Sequence, residues 1–70
     1  ETVRMSPIEY LNRYRIRVAA GRLAESDDPI SIIAEECGFL SDSYFSKMFK
    51  NMMKVSPREY RNNAFKGQLL

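Results

Sequence analysis

The stretch SDSYFSKMFK at residues 41–50 places short hydroxyls, one carboxylate and two amines at helical spacing. Such groups match the donors and acceptors on base edges. Lys47 can donate to guanine O6 and N7 or to a phosphate, and Asp42 can accept from cytosine N4. Ser43 and Ser46 can donate to or accept from any base, and Lys50 extends the same face. If a helix begins here, Ser41 can cap it and its free amides suit a phosphate. Ser31, at the start of the preceding apolar segment, can touch the backbone as well. The same side chains would make an ordinary solvated helix face, so their chemistry depends on what holds them.

Four helices are expected to hold them, and no stretch alternates as a strand would. The first should run from about Pro7 to Glu25, on the order of 28 Å long. Leu11, Tyr14 and Val18 mark one apolar stripe on it, and Ile16, Ala19, Ala20 and Leu23 mark another. Two stripes suggest contact on more than one side, as in a strut between two lobes. Gly21 weakens the helix by up to about 1 kcal/mol relative to alanine, which a close helix crossing would offset. In SDDP, at 26–29, Asp28 is expected to cap and Pro29 to open the second helix. Ile30, Ile33, Ala34 and Cys37 then form one face, with Cys37 as a small buried hydrophobe. Gly38 suits a left-handed turn. The third helix, about 41–52, should bury Tyr44, Phe45, Met48, Phe49 and Met52. The fourth should run from about Pro57 to Asn63, leaving 64–70 as a flexible tail.

Helix, glycine turn, helix is the arrangement that presents a second helix to a major groove. Residues 30–50 supply a core face, a tight turn and an outward face free of bulky apolar groups. A plain helical bundle fits the same periodicity, and both readings stand on pattern alone.

SPIEY at 6–10 returns as SPREY at 56–60. In each, serine caps, proline takes the first helical position and glutamate reaches back to the cap. Tyr10 and Tyr60 also correspond, as do Asn12 and Asn62. A duplicated unit would explain this, with its first copy nearly all upstream of residue 1.

The remaining composition narrows the function. A net charge of +2 is weak, but its distribution is uneven. Arg13, Arg15, Arg17 and Arg22 have no acid among them, and Lys50, Lys54, Arg58, Arg61 and Lys66 have only Glu59. With no histidine, no glycine-rich phosphate loop and no cluster of metal ligands, neither an enzyme nor a cofactor nor a metal is expected. A single cysteine fits a reducing compartment such as the cytoplasm, and no apolar run approaches a membrane span.

ISIIAEECGFLSDSYFSKMFKNMMKVSPREYR resembles the second helix-turn-helix of the AraC/XylS family of bacterial transcription regulators. Ile30, Ile33-Ala34, Gly38-Phe39, Ser43-Tyr44-Phe45-Ser46, Phe49-Lys50, Ser56-Pro57 and Tyr60-Arg61 carry the resemblance. SPIEYLNRYRIRVAAGRL is similar to the family's long linking helix. The resemblance implies an all-α, homeodomain-like bundle of about four helices with a long N-terminal linker helix. Residues 1–25 would hold the end of a first unit and the linker, and 26–63 the second unit with its closing helix. Both units end in an S-P-x-x-Y-like segment, which accounts for the repeat. The implied function is sequence-specific binding of double-stranded DNA, commonly in an activator with a separate effector or dimerisation domain. Asp42, Ser43, Ser46 and Lys47 would read bases, while Ser31, Ser41, Lys50 and Arg58 would position phosphates. The family usually has glycine where Lys54 stands, and lysine is unfavourable if φ there is positive. Lys47 stands where arginine is frequent, and lysine gives up bidentate geometry. The alternative is a helical interaction module that meets RNA polymerase or another protein through Ile32, Glu35 and Glu36.

Overall fold

The computed structural model describes residues 6–69, with side chains through Phe65. Four helices follow in order: α1 (Pro7–Glu25), α2 (Ile30–Glu36), α3 (Asp42–Met53) and α4 (Pro57–Leu69). Residues 1–5 of the expected first segment, and the side chain of Lys66, lie outside this description.

Local chemistry sets most of the boundaries. Ser6 Oγ accepts from the Glu9 N–H, and Glu9 Oε1 accepts from the Ser6 N–H, both at 3.1 Å. Ser56 and Glu59 repeat this geometry at the same 3.1 Å. At the far end of α1 the Ser26 N–H and Oγ–H both donate to the Arg22 carbonyl, at 3.0 and 2.9 Å. The Asp28 cap expected for α2 is not formed; Pro29 is the N-cap residue and no side chain caps the helix. Asp28 is drawn away by Arg22 Nη2, 3.0 Å from its Oδ2.

The exit from α2 satisfies its last carbonyls in a compact way. The Gly38 N–H donates to Glu35 O at 3.0 Å and the Phe39 N–H to Ala34 O at 2.9 Å. This paired bonding is the Schellman turn, and it requires the left-handed φ of 96° that Gly38 adopts. Phe39 and Ala34 are both buried, which adds the apolar contact that accompanies such turns. Ser41 Oγ then accepts from the Tyr44 N–H at 3.1 Å and starts α3.

The core gathers Ile16, Ala19, Ala20 and Leu23 of α1, Ile33 and Ala34 of α2, Phe39 of the turn, and Phe45 and Phe49 of α3. Burial of each large side chain contributes about 1.5–3 kcal/mol. Phe39, Phe45, Phe49 and Tyr60 form a continuous row of tilted rings, with centroids 5.1, 5.7 and 5.5 Å apart. The row carries contact from the turn through α3 to α4. Arg61 ties α4 back to α1: its Nε donates to Leu23 O at 3.1 Å and its Nη2 to Asp28 O at 2.7 Å.

Several expectations change. Only the second stripe of α1 is buried; Leu11, Tyr14 and Val18 are exposed. Gly21 marks no close crossing, since nothing described lies within 4 Å of where its Cβ would be. It sits beside the buried face, where Ala20 and Leu23 make the contact. Tyr44 is 46% exposed rather than buried. It lies at the edge of the α3 face, tilted against Phe39, and its hydroxyl accepts from Asn12 Nδ2 at 3.1 Å. Cys37 and Ile30 are half-buried rather than enclosed. Finally, α4 passes the expected end at Asn63 and continues to Leu69, because no strong breaker stands in NNAF.

Candidate nucleic-acid interface

At 100° per residue, Ser43, Ser46, Lys47 and Lys50 fall at i, i+3, i+4 and i+7 on α3. All are exposed, and they lie opposite the buried Phe45 and Phe49. The rings packed behind α3 therefore decide which side chains face outward. α3 is about 18 Å long, enough to cross a groove about 12 Å wide.

The charges on this face are graded along the helix. Asp42 opens α3 and Lys50 stands in its last turn, each favourable to the helix dipole. Lys47 and Lys50 share one groove with Asn51 and Lys54. At the other end Ser31 and Asp42 share a shallow depression with Glu35, Gly38, Phe39 and Leu40. The structure thus brings the amines together at one end and two carboxylates together at the other. Ser31, expected to meet a phosphate, is exposed but lies beside those carboxylates. Ser41 is exposed, and its oxygen accepts the cap bond while its hydroxyl proton stays available to an external acceptor. Arg58 is exposed in the first turn of α4 and belongs to neither depression.

Asn51 and Lys54 were missed as candidates. The helical spacing 47, 50, 51 shows Asn51, whereas Lys54 is the left-handed C-cap residue beyond α3, which helical spacing does not place. Lys54 also adopts the left-handed conformation at φ 74° that the sequence made doubtful for lysine.

Other charged groups are occupied in holding the turn. Arg22 pairs with Asp28 and with Glu36. Those hydrogen bonds, Glu36 first and Asp28 second, raise the guanidinium above its ordinary pKa. Of the side chains expected to meet a protein partner, Ile32, Glu35 and Glu36 are all exposed, and Glu36 is the one paired with Arg22. Arg15 covers the turn: a Cβ on Gly38 would stand 3.0 Å from its Cζ and Nε. Burial pushes the Cys37 thiol up, which makes it a poor nucleophile rather than a reactive one. Of the four arginines on α1, Arg13 and Arg17 are the ones that face solvent, in a groove with Tyr10 and Tyr14. No described helix is long and apolar enough to cross a membrane.

Comparison with known proteins agrees with this geometry. A family described as "Helix-turn-helix domain" matches residues 1–63. The chain is 43% identical over 61 residues to the HTH-type transcriptional activator RhaS of Pectobacterium carotovorum, covering 87% of this chain and 22% of that protein. It is 39% identical over 62 residues to a putative AraC-like transcription regulator of Streptomyces antibioticus, covering 89% of this chain and 20% of the relative. It is 40% identical over 57 residues to the uncharacterized HTH-type regulator YisR of Bacillus subtilis, covering 81% and 20%. The chain spans about a fifth of the length of these relatives. No solved structure matches it.

Proposed function

The chain belongs to the AraC-type helix-turn-helix domain family, and on that premise we propose that it binds double-stranded DNA sequence-specifically, with α3 in the major groove. The observation that carries this reading is the exposed row Ser43, Ser46, Lys47 and Lys50, set opposite the buried rings of α3. Asp42, Ser43, Ser46 and Lys47 are the proposed base contacts. Lys50, Ser41, Arg58 and Ser31 are the proposed phosphate contacts, and the first is best supported because it lies among amines. Such a module binds rather than catalyses. Its setting would be a transcription regulator of the bacterial cytoplasm, accompanied by an effector or dimerisation domain.

Selection of bound duplexes from a random pool at low salt tests the proposal. The chain should enrich a short motif, and a variant with Asp42, Ser43, Ser46 and Lys47 all changed to alanine should not. Equal enrichment by both chains would remove α3 from the reading. Lys47→Ala alone should cost about 1–3 kcal/mol in specific affinity.

A second reading has one observation in its favour. Leu40 is fully exposed in the turn and shares a depression with exposed Glu35, and Ile32 of the same helix is exposed as well. Contact with RNA polymerase or another protein through this end of the unit would adjoin Ser31 and Asp42, which share its depression. Binding there should be far less sensitive to salt than phosphate binding.

A further inference from the structure

Lys47, Lys50, Asn51 and Lys54 line the groove at the C-terminal end of α3, and no carboxylate lines it. Among the described residues Lys54 is the one non-glycine position with positive φ, at 74°. An L-residue carries a steric cost in that conformation, and glycine does not. The Lys54 N–H closes α3 on Lys50 O at 2.8 Å. Glycine or asparagine would make the same bond, so the cap gives no reason for a lysine. Its dipole offers little reason either, because Lys50 already stands in the last turn.

The charge adds a second unfavourable feature. The described ion pairs involve Arg22, and none involves these lysines. Three ammonium groups therefore share one exposed groove and repel one another. Both costs would be offset when a polyanion lies in the groove. Lys47, Lys50 and Lys54 stand at i, i+3 and i+7, a row about 10 Å long. A row of that length lets Lys50 and Lys54 meet separate phosphates while Lys47 reaches a base edge.

We propose that Lys54 is a further DNA-phosphate contact, held in a strained left-handed backbone because its amine completes the groove begun by Lys47 and Lys50. This rests on the DNA-binding reading of α3. It predicts that stability and affinity move in opposite directions at this one position.

The test is binding of a short random-sequence duplex across a salt series, with urea midpoints measured on the same samples. Lys54→Gly should raise the urea midpoint and weaken binding. The slope of log affinity against log salt should fall in magnitude by about 0.9, so the variant loses about 3.5-fold less affinity than the wild type between about 50 and 200 mM salt. Lys54→Asn should show the same change in slope, and Lys54→Arg should keep the wild-type slope. If Lys54→Gly and Lys54→Asn bind like the wild type while Lys50→Ala loses affinity and slope, the role of Lys54 is overturned and the DNA reading stands. If neither Lys50→Ala nor Lys54→Gly alters the slope, the DNA reading is overturned with it.

Discussion

Arg61→Ala removes the side chain that joins α4 to the end of α1. The cost follows from its two acceptors. Leu23 O lies in the last turn of α1, where carbonyls have no partner within the helix, and Arg61 Nε supplies one at 3.1 Å. Without Arg61 this part-buried oxygen is left unpaired. Asp28 O, bonded at 2.7 Å, is exposed, so water replaces the guanidinium there at little cost. The expected loss is that of one charge-assisted hydrogen bond, about 2 kcal/mol. A domain of this length has about 3.5–10 kcal/mol of stability in all. The melting temperature should fall by about 8–16 °C, as followed by far-UV circular dichroism. Arg61→Lys should recover less than half of the loss, because an amine cannot span both carbonyls as the planar fork does. The salt slope of duplex binding should not change in either variant. A melting temperature for Arg61→Ala within about 2 °C of the wild type would refute the assigned role of the Leu23 bond. A reduced salt slope would instead place Arg61 on the DNA.

Gly21→Ala should stabilise the chain by about 0.5–1 kcal/mol in urea unfolding, since the added methyl meets open space in a helix; a lower midpoint would show that the site is crowded. Ser56→Ala should cost about 1 kcal/mol by the same measurement. Ser6→Ala should cost less, because Pro7 and Tyr10 are exposed and that turn can fray without disturbing the core, whereas Pro57 is buried and Tyr60 is packed; equal losses would contradict this. Cys37 has its thiol pKa raised in the folded chain, chiefly by burial. Its contribution to stability should be complete below about pH 8.5 and fall as pH rises through the higher folded value. Urea midpoints of wild type and Cys37→Ala should therefore converge or cross with rising pH, and parallel curves would argue against the shift.

Features written in neighbouring residues were legible in the sequence. Both serine caps, the glycine turn and the starts of α1 and α3 depend on contacts within a turn or two, and the structure has them. The Asp28 cap failed because Arg22, six residues upstream and on another element, competes for the carboxylate. Tyr44 fits the apolar periodicity of α3, yet its position is settled by Asn12, 32 residues away. Arg61 likewise reaches a carbonyl 38 residues back. No local pattern encodes such partners. On the candidate face, Lys47 and Lys50 were readable as a row, whereas the place of Lys54 in that row appears only once α3 is seen to end in a left-handed residue.

The repeated cap motif also shows how far a local signal can act alone. Tyr60 packs edge-on against Phe49, at 74° between ring planes, while Tyr10 stands 68% exposed. The row of rings that holds Tyr60 has a consequence for change over time. Turning α3 by a single residue would swing its side chains by about 100° and break the contacts of Phe45 with Phe39 and of Phe49 with Tyr60, which opposes any such turn. Substitutions on its outer side leave those contacts untouched. On the proposed reading, exchange of Asp42, Ser43, Ser46 and Lys47 would change the target sequence on a frame that these exposed positions do not hold together. Preference can drift while the mounting stays fixed, and that separation makes the unit reusable.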